Sequence, residues 1–101
     1  MSDDIDSMEP SEALCVTLTR LRDALSKVSG TWAIKAQLDK CIRALQVEGY
    51  TTALARRVRA VVSHAQFTLQ EVRADPALTE TELAAVDEAA DTYEICLRLL
   101  A

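Results

Sequence analysis

The chain has 101 residues, of which half are apolar and only 4% aromatic, and its formal net charge is −5. This length suits one domain with an aliphatic core, and two glycines with two prolines leave little material for β-hairpin turns, which excludes an all-β fold. The acidic charge argues against binding to nucleic acid or to anionic membranes, because phosphate binding depends on cationic side chains. No apolar run approaches the roughly 20 residues that span a bilayer.

Residues 1–8 carry three aspartates and no periodic apolar residues, which predicts a flexible acidic tail. This segment also lacks the basic and apolar regions of a secretion signal, so we expect a soluble cytoplasmic protein. Residues 9–101 are expected to form a single helical-bundle domain.

The first half of this domain shows apolar residues at steps of three and four, the spacing of an amphipathic helix. A first helix is predicted over about 9–29, with Pro10 in its first turn and Gly30 just after its end. A second is predicted over 31–48, with Thr31 as its cap and Gly49 after it. Their apolar stripes are Leu14, Leu18, Leu21, Leu25 and Val28, then Ile34, Leu38, Cys41 and Leu45.

The second half repeats the pattern. A third helix is predicted over 51–74, capped by Thr51 or Thr52 and ended by Asp75-Pro76, since a residue before proline avoids helical angles. Its apolar stripe is Leu54, Val58, Val61, Ala65, Leu69 and Val72.

The fourth predicted helix covers 79–101 and has the clearest start. Thr79 and Glu82 match a capping box, and Leu78 with Leu83 matches a hydrophobic staple. Its apolar stripe is Leu83, Val86, Ala90, Tyr93, Leu97 and Leu100.

The predicted fold is therefore all-α, an antiparallel four-helix bundle with up-down-up-down order, because short connections favour antiparallel neighbours. One alternative stays open, in which two long helical hairpins open out and are completed by a second subunit.

Residues that could support catalysis are sparse. Cys15, Cys41 and Cys96 lack paired zinc-ligand spacing and are expected to fill the core. His64 is the single histidine, too few for a di-iron bundle site and thin support for a nucleophile. We therefore expect no enzyme, no metal and no cofactor.

Charge is distributed unevenly between the last two helices. Arg56, Arg57 and Arg59 make the third helix basic, whereas six carboxylates make the fourth acidic. The simplest interpretation is that the two helices are neighbours with complementary rims, each exposed pair contributing about 0.2–1 kcal/mol. The alternative is that the arginines form a site for an acidic partner, which Lys40 and Arg43 on the second helix could extend.

Apolar residues beyond the needs of one stripe point to an interface. Ile95 and Leu99 form a second strip beside Leu100, and Trp32 and Tyr50 are residue types favoured in interfaces. We predict a homodimer or a partner interface from this set. The candidate partner-binding residues are Arg56, Arg57, Arg59, Ile95, Leu99, Leu100, Trp32 and Tyr50.

The functional hypothesis is a non-enzymatic protein-interaction module, a small acidic regulator, inhibitor or adaptor that docks through a helix face onto a protein partner. Two alternatives stay open: a nucleic-acid-associated regulator that uses the basic start of the third helix, and a structural subunit of a larger assembly.

Overall fold

The computed structural model describes residues 9–100, and these residues form four α-helices and no β-strand. Helix α1 runs over Pro10–Leu25, α2 over Trp32–Glu48, α3 over Thr52–Arg73 and α4 over Glu80–Leu100. The all-α prediction is confirmed. The predicted acidic tail, residues 1–8, lies outside the described residues.

The four helices form a bundle in which each one packs against two others. Helix α1 contacts α2 and α4, and α3 contacts the same two helices from the other side. One apolar core lies between them. Within residues 9–100, none of the helices combines the length and apolar content that crossing a bilayer requires.

The core is aliphatic, as the composition predicts. Helix α1 contributes most, with Leu14, Leu18, Leu21 and Leu25 fully buried. No aromatic ring of the described residues is fully buried: Tyr93 packs against the core, while Trp32, Tyr50 and Phe67 are exposed. The three exposed rings therefore belong to the surface.

Helix α1 ends at Leu25, four residues before the predicted end. The amides of Lys27 and Val28 donate to carbonyls three residues back, at 3.2 and 3.0 Å, which tightens the chain into a turn. Val28 stays buried in this turn, so its place in the apolar stripe holds although it is not helical. Gly30 then takes a φ of +82°, a conformation that favours glycine.

Thr31 does not cap α2 with its side chain, contrary to the prediction. Its hydroxyl donates to the carbonyl oxygens of Leu25 and Val28, at 2.7 and 3.0 Å. Thr31 is buried. The Leu25 carbonyl also accepts from the Val28 amide, whereas among residues 9–100 the Val28 carbonyl has only the Thr31 hydroxyl as its donor. The residue therefore closes the end of α1.

The starts of α3 and α4 match their predicted caps. The Thr51 hydroxyl accepts from the Leu54 amide at 3.1 Å. At α4, the Thr79 hydroxyl accepts from the Glu82 amide at 3.1 Å, and a Glu82 carboxylate oxygen accepts from the Thr79 amide at 3.2 Å. The capping box is confirmed.

Helix α4 is rotated relative to the predicted stripe. Its buried residues are Ala85, Val86, Ala89, Thr92, Cys96 and Leu100, whereas Leu83 and Leu97 are 43% and 38% exposed. Small side chains let helices approach closely, and α4 makes its most extensive contact with α1. This contact buries alanine and cysteine and leaves two leucines outside. A smaller shift occurs in α3, where Val62 replaces Val61 as the fully buried residue.

Polar contacts join neighbouring helices. Arg22 donates to Asp39 at 2.7 Å and the Cys15 thiol donates to the Ile42 carbonyl at 3.8 Å, which ties α1 to α2. Tyr93 donates to Gln66 at 2.8 Å and Arg73 pairs with Asp87 at 2.7 Å, which ties α3 to α4.

Candidate protein-docking face

The structure divides the predicted partner-binding residues among four places. Tyr50, Arg56, Arg59 and Leu100 line one cavity of ≈ 220 Å³, where the α2–α3 connection meets the last turn of α4. Arg57 lies on another side of α3, in a groove beside α2. Trp32 lies at the far end of α2, and Ile95 and Leu99 are half-buried on α4.

Arg59 stabilises the end of α4. Its guanidinium donates to the carbonyl oxygen of Leu100. Carbonyls in the last turn of a helix lack intrahelical partners, and the negative end of the helix dipole attracts a cation. Arg59 therefore has a structural role, although it belongs to the basic cluster in the sequence.

Leu100 is 3% exposed and belongs to the core, as its place in the predicted apolar stripe requires, so it is not a surface residue of an interface in the free protein. Leu99 also packs against the core. The rotation of α4 exposes Leu97 instead. The apolar surface of this helix is thus smaller than predicted and differently placed.

Among residues 9–100, the basic cluster forms no ion pair with a carboxylate of the acidic α4. The ion pairs among residues 9–100 include one between α3 and α4, Arg73 with Asp87, and none that involves Arg56, Arg57 or Arg59. Within this part of the chain, oppositely charged side chains of α3 and α4 therefore meet at only one end of the contact. Arg56 and Arg57 are both exposed.

A continuous exposed surface covers α2 and α3, and we call it the α2–α3 face. Residues four and seven positions apart share a side of a helix, which groups the exposed residues into one stripe on each helix. The stripe on α2 is Trp32, Ala36, Lys40, Arg43 and Val47, and that on α3 is Ala53, Arg57, Ala60, His64 and Phe67. Between the two helices lies a shallow, open groove of ≈ 400 Å³, lined by Gln37, Arg57, Ala60, Val61 and His64.

Three large apolar residues on this face are open to solvent. Val47 is 84% exposed, Trp32 76% and Phe67 65%, the highest values among the large hydrophobic residues described. Exposed aromatic residues are a frequent feature of protein interfaces. The sequence interpretation included Trp32 but missed Phe67 and Val47. Phe67 could have been found, because nine residues from Val58 place it opposite the buried side of α3.

The α2–α3 face is also the basic side of the molecule. Residues 31–74 contain seven Lys and Arg against three Asp and Glu, and Asp39 pairs with Arg22 of α1. The other two carboxylates, Glu48 and Glu71, lie at the ends of α2 and α3. Helix α4, in contrast, carries six carboxylates and one arginine.

Groups suited to chemistry are not gathered at this face. His64 borders the groove, but its neighbours there are Gln37, Arg57, Ala60 and Val61. Burial raises the pKa of the Cys41 thiol although the nearby Arg57 charge acts to lower it, and burial raises the pKa of Cys96 to about 12. Across residues 9–100, no three His, Cys, Asp or Glu side chains are grouped so as to hold a metal ion.

Comparisons with family models, with curated proteins and with solved structures find no match for this chain. The functional argument therefore rests on the α2–α3 face.

Proposed function

We propose that this protein is a non-enzymatic interaction module, a small acidic regulator, inhibitor or adaptor that binds a protein partner through the α2–α3 face. The observation that carries the proposal is the combination, on one exposed face, of a groove, three large apolar residues, and basic residues that form no ion pair within residues 9–100. Burying one such side chain in an interface contributes roughly 1.5–3 kcal/mol, so its exposure in the free protein favours a bound state.

Interhelix contacts and the state of the cysteines support two finer features of the proposal. We infer an up-down-up-down antiparallel order, since Cys15 and Arg22 of α1 contact Ile42 and Asp39 of α2, so that numbering rises on one helix as it falls on the other. We also place the protein in the cytoplasm, because its three cysteines are unpaired, which is typical of a reducing compartment.

Site-specific photocrosslinking in the native cell tests the interaction. The photoreactive residue p-benzoylphenylalanine replaces Trp32 or Phe67 and, as controls, the exposed Glu12 or Asp91 on α1 and α4. Aromatic positions accept this aromatic probe with little disturbance. We expect an adduct of the same mass from positions 32 and 67 and none from 12 and 91. Adducts confined to the control positions, or none at all, would refute a partner at this face.

A nucleic-acid-associated role remains the second candidate, favoured by the proximity of Lys40, Arg43, Arg56 and Arg57 to exposed aromatic rings. Its test is the Arg56→Glu, Arg57→Glu variant, which leaves Arg59 on the end of α4. Binding to single-stranded or duplex oligonucleotides at low salt must occur in the native protein and collapse in the variant. The absence of binding by the native protein would exclude this role. Fixed-stoichiometry copurification of a larger complex would instead favour a structural subunit.

A further inference from the structure

We propose that the partner presents an acidic amphipathic helix, which lies along the groove of the α2–α3 face with its carboxylates between the basic residues of the two stripes. This inference deepens the proposed function and rests on it. The shape and charge of the groove, and the length of the face, indicate the chemistry of the partner.

The floor of the groove permits close approach of a helix. Its apolar lining is Ala60 and Val61, and Ala36 on the α2 stripe adds another small side chain. Packed helices lie 8–10 Å apart, with the shortest distances where the contacting side chains are small. A helix laid here would contact both α2 and α3 from outside the bundle, as in helix-in-groove recognition.

The large exposed apolar residues lie toward the two ends of α2 and α3. Gln37 of α2 lines the groove together with Val61 and His64 of α3, and Arg57 lies near Cys41. Trp32, five residues before Gln37, and Phe67, three after His64, therefore lie toward the same end, with Val47 at the other. Fifteen residues separate Trp32 from Val47, about 22 Å along a helix, so a partner helix of about four turns spans the face.

The charge of the face selects an acidic partner. Arg57 lines the groove, Lys40 is exposed three residues after the lining residue Gln37, and no carboxylate of residues 9–100 forms an ion pair with either cation. An amphipathic helix with leucines toward Ala60 and Val61 would bring its flanking carboxylates to these cations. Complementary charges of this kind set the choice of partner and the association rate.

A protein helix suits the groove better than nucleic acid does. Ala60 and Val61 give the groove an apolar part that suits leucine side chains and offers no donors to phosphate oxygens, and the acidic α4 packs on the same helix α3. Nucleic acid is therefore an outcome of the test and not the proposed ligand.

The test uses two synthetic peptides of about 16 residues, long enough for four helical turns. One places leucines at the i, i+3, i+4, i+7 spacing with glutamate elsewhere, and the other has lysine at every glutamate position. Each is titrated into the full-length, ¹⁵N-labelled protein, with backbone amide shifts and Trp32 fluorescence as readouts. The Lys40→Glu, Arg57→Glu variant removes the basic border. The matched control, Arg20→Glu with Arg98→Glu, makes the same change in net charge at exposed residues of α1 and α4.

We expect the glutamate peptide to shift the amides of Ala36, Lys40, Ala60 and His64. Binding should weaken by about tenfold or more in the Lys40→Glu, Arg57→Glu variant and by less than about twofold in the control. Raising NaCl from about 50 to about 300 mM should also weaken binding, because salt screens exposed charges.

Several results would overturn the inference. These are equal binding of the lysine peptide, shifts confined to α1 and α4, displacement of the glutamate peptide by a single-stranded oligonucleotide, and shifts of the α2–α3 amides with protein concentration alone, which would make a second copy the occupant. If photocrosslinks form at positions 32 and 67 while the peptide test fails, the proposed function stands and only the acidic helix is refuted.

Discussion

Neighbouring residues of the basic cluster have different roles because the helix points them to different neighbours. Arg59 turns toward α4 and donates to the Leu100 carbonyl, whereas Arg57, two positions earlier, faces the groove beside α2. Successive residues on a helix are separated by about 100°, so a dense run of like charge rarely acts as one site. Partner binding at this cluster should therefore depend on Arg57 and not on Arg59.

The cysteines are core residues whose protonation is tied to folding. Burial raises the pKa of the Cys96 thiol to about 12 and also raises the pKa of Cys41. The pKa of Cys15 is raised chiefly by burial and further by the negative charge of Glu12. Because the thiolate is the nucleophile, we expect these thiols to react slowly in the native protein.

Stability should fall at alkaline pH through Cys96. The pKa of this thiol is higher in the folded chain than in the unfolded chain, so unfolding releases a proton once the pH exceeds about 9. Stability is thus full below about pH 9 and declines as the pH rises toward 12. The slope due to this thiol is at most about 1.4 kcal/mol per pH unit.

Urea unfolding of the native protein and of Cys96→Ala between pH 8 and 10.5 measures this slope, since lysines and tyrosines titrate in both proteins alike. The alanine variant should be less stable at pH 8 and lose less stability with rising pH. Parallel curves would show that Cys96 does not titrate with unfolding.

At the scale of elements, the ends of the helices depend on single hydroxyl groups. Thr51 and Thr79 each accept from an amide in the first turn that follows, as their sequence positions predict. Thr31 also precedes a helix, but it is buried, and its hydroxyl donates back to carbonyls at the end of α1. Tertiary packing decides between these roles, because burial would leave the Val28 carbonyl without a donor if the Thr31 hydroxyl capped α2 instead.

The Thr31→Val variant should lower the free energy of unfolding by about 1–3 kcal/mol, since the shape is kept while the buried Val28 carbonyl loses its donor. The matched control is Thr19→Val, because the Thr19 hydroxyl donates at 2.8 Å to Cys15, whose carbonyl is already part of the helix ladder. Its effect should stay within about 0.5 kcal/mol. Urea unfolding measures both, and equal losses would contradict the closing role of Thr31.

At the scale of the whole molecule, the bundle separates its charge. The α2–α3 face is basic, and α4 on the other side is acidic with Leu97 exposed near its end. The homodimer predicted from the sequence remains a prediction. Since Ile95 and Leu99 of the predicted strip are half-buried, we place its contact at the exposed Leu97. Two acidic α4 helices repel each other, so such a dimer should strengthen with salt, whereas partner binding should weaken.

Sedimentation velocity over a concentration series at low and high salt tests the homodimer. The mean mass of the native protein should rise with concentration, more so at high salt, and Leu97→Glu should stay monomeric while keeping its unfolding midpoint. A native protein that remains monomeric into the hundreds of micromolar would refute the dimer.

The sequence by itself determined the four helices, their glycine and threonine boundaries to within one or two residues at most ends, and the aliphatic core. These features depend on local spacing and local hydrogen bonds, which each segment carries alone. The same reasoning placed Arg57 and Trp32 among the candidate residues. It could not exclude Arg59 or Leu100, since the partner of each lies about 40 residues away in the chain.

Only the tertiary structure decided which side of each helix is buried. Alternating steps of three and four define a stripe to within one residue, about 100° of rotation, and the neighbouring helix selects the final angle. In α4 the close contact with α1 buried Ala85, Ala89 and Cys96 and left Leu83 and Leu97 outside. The α2–α3 face emerged in the same way: Phe67 and Val47 are apolar in the sequence, but only packing shows that no helix among residues 9–100 covers them.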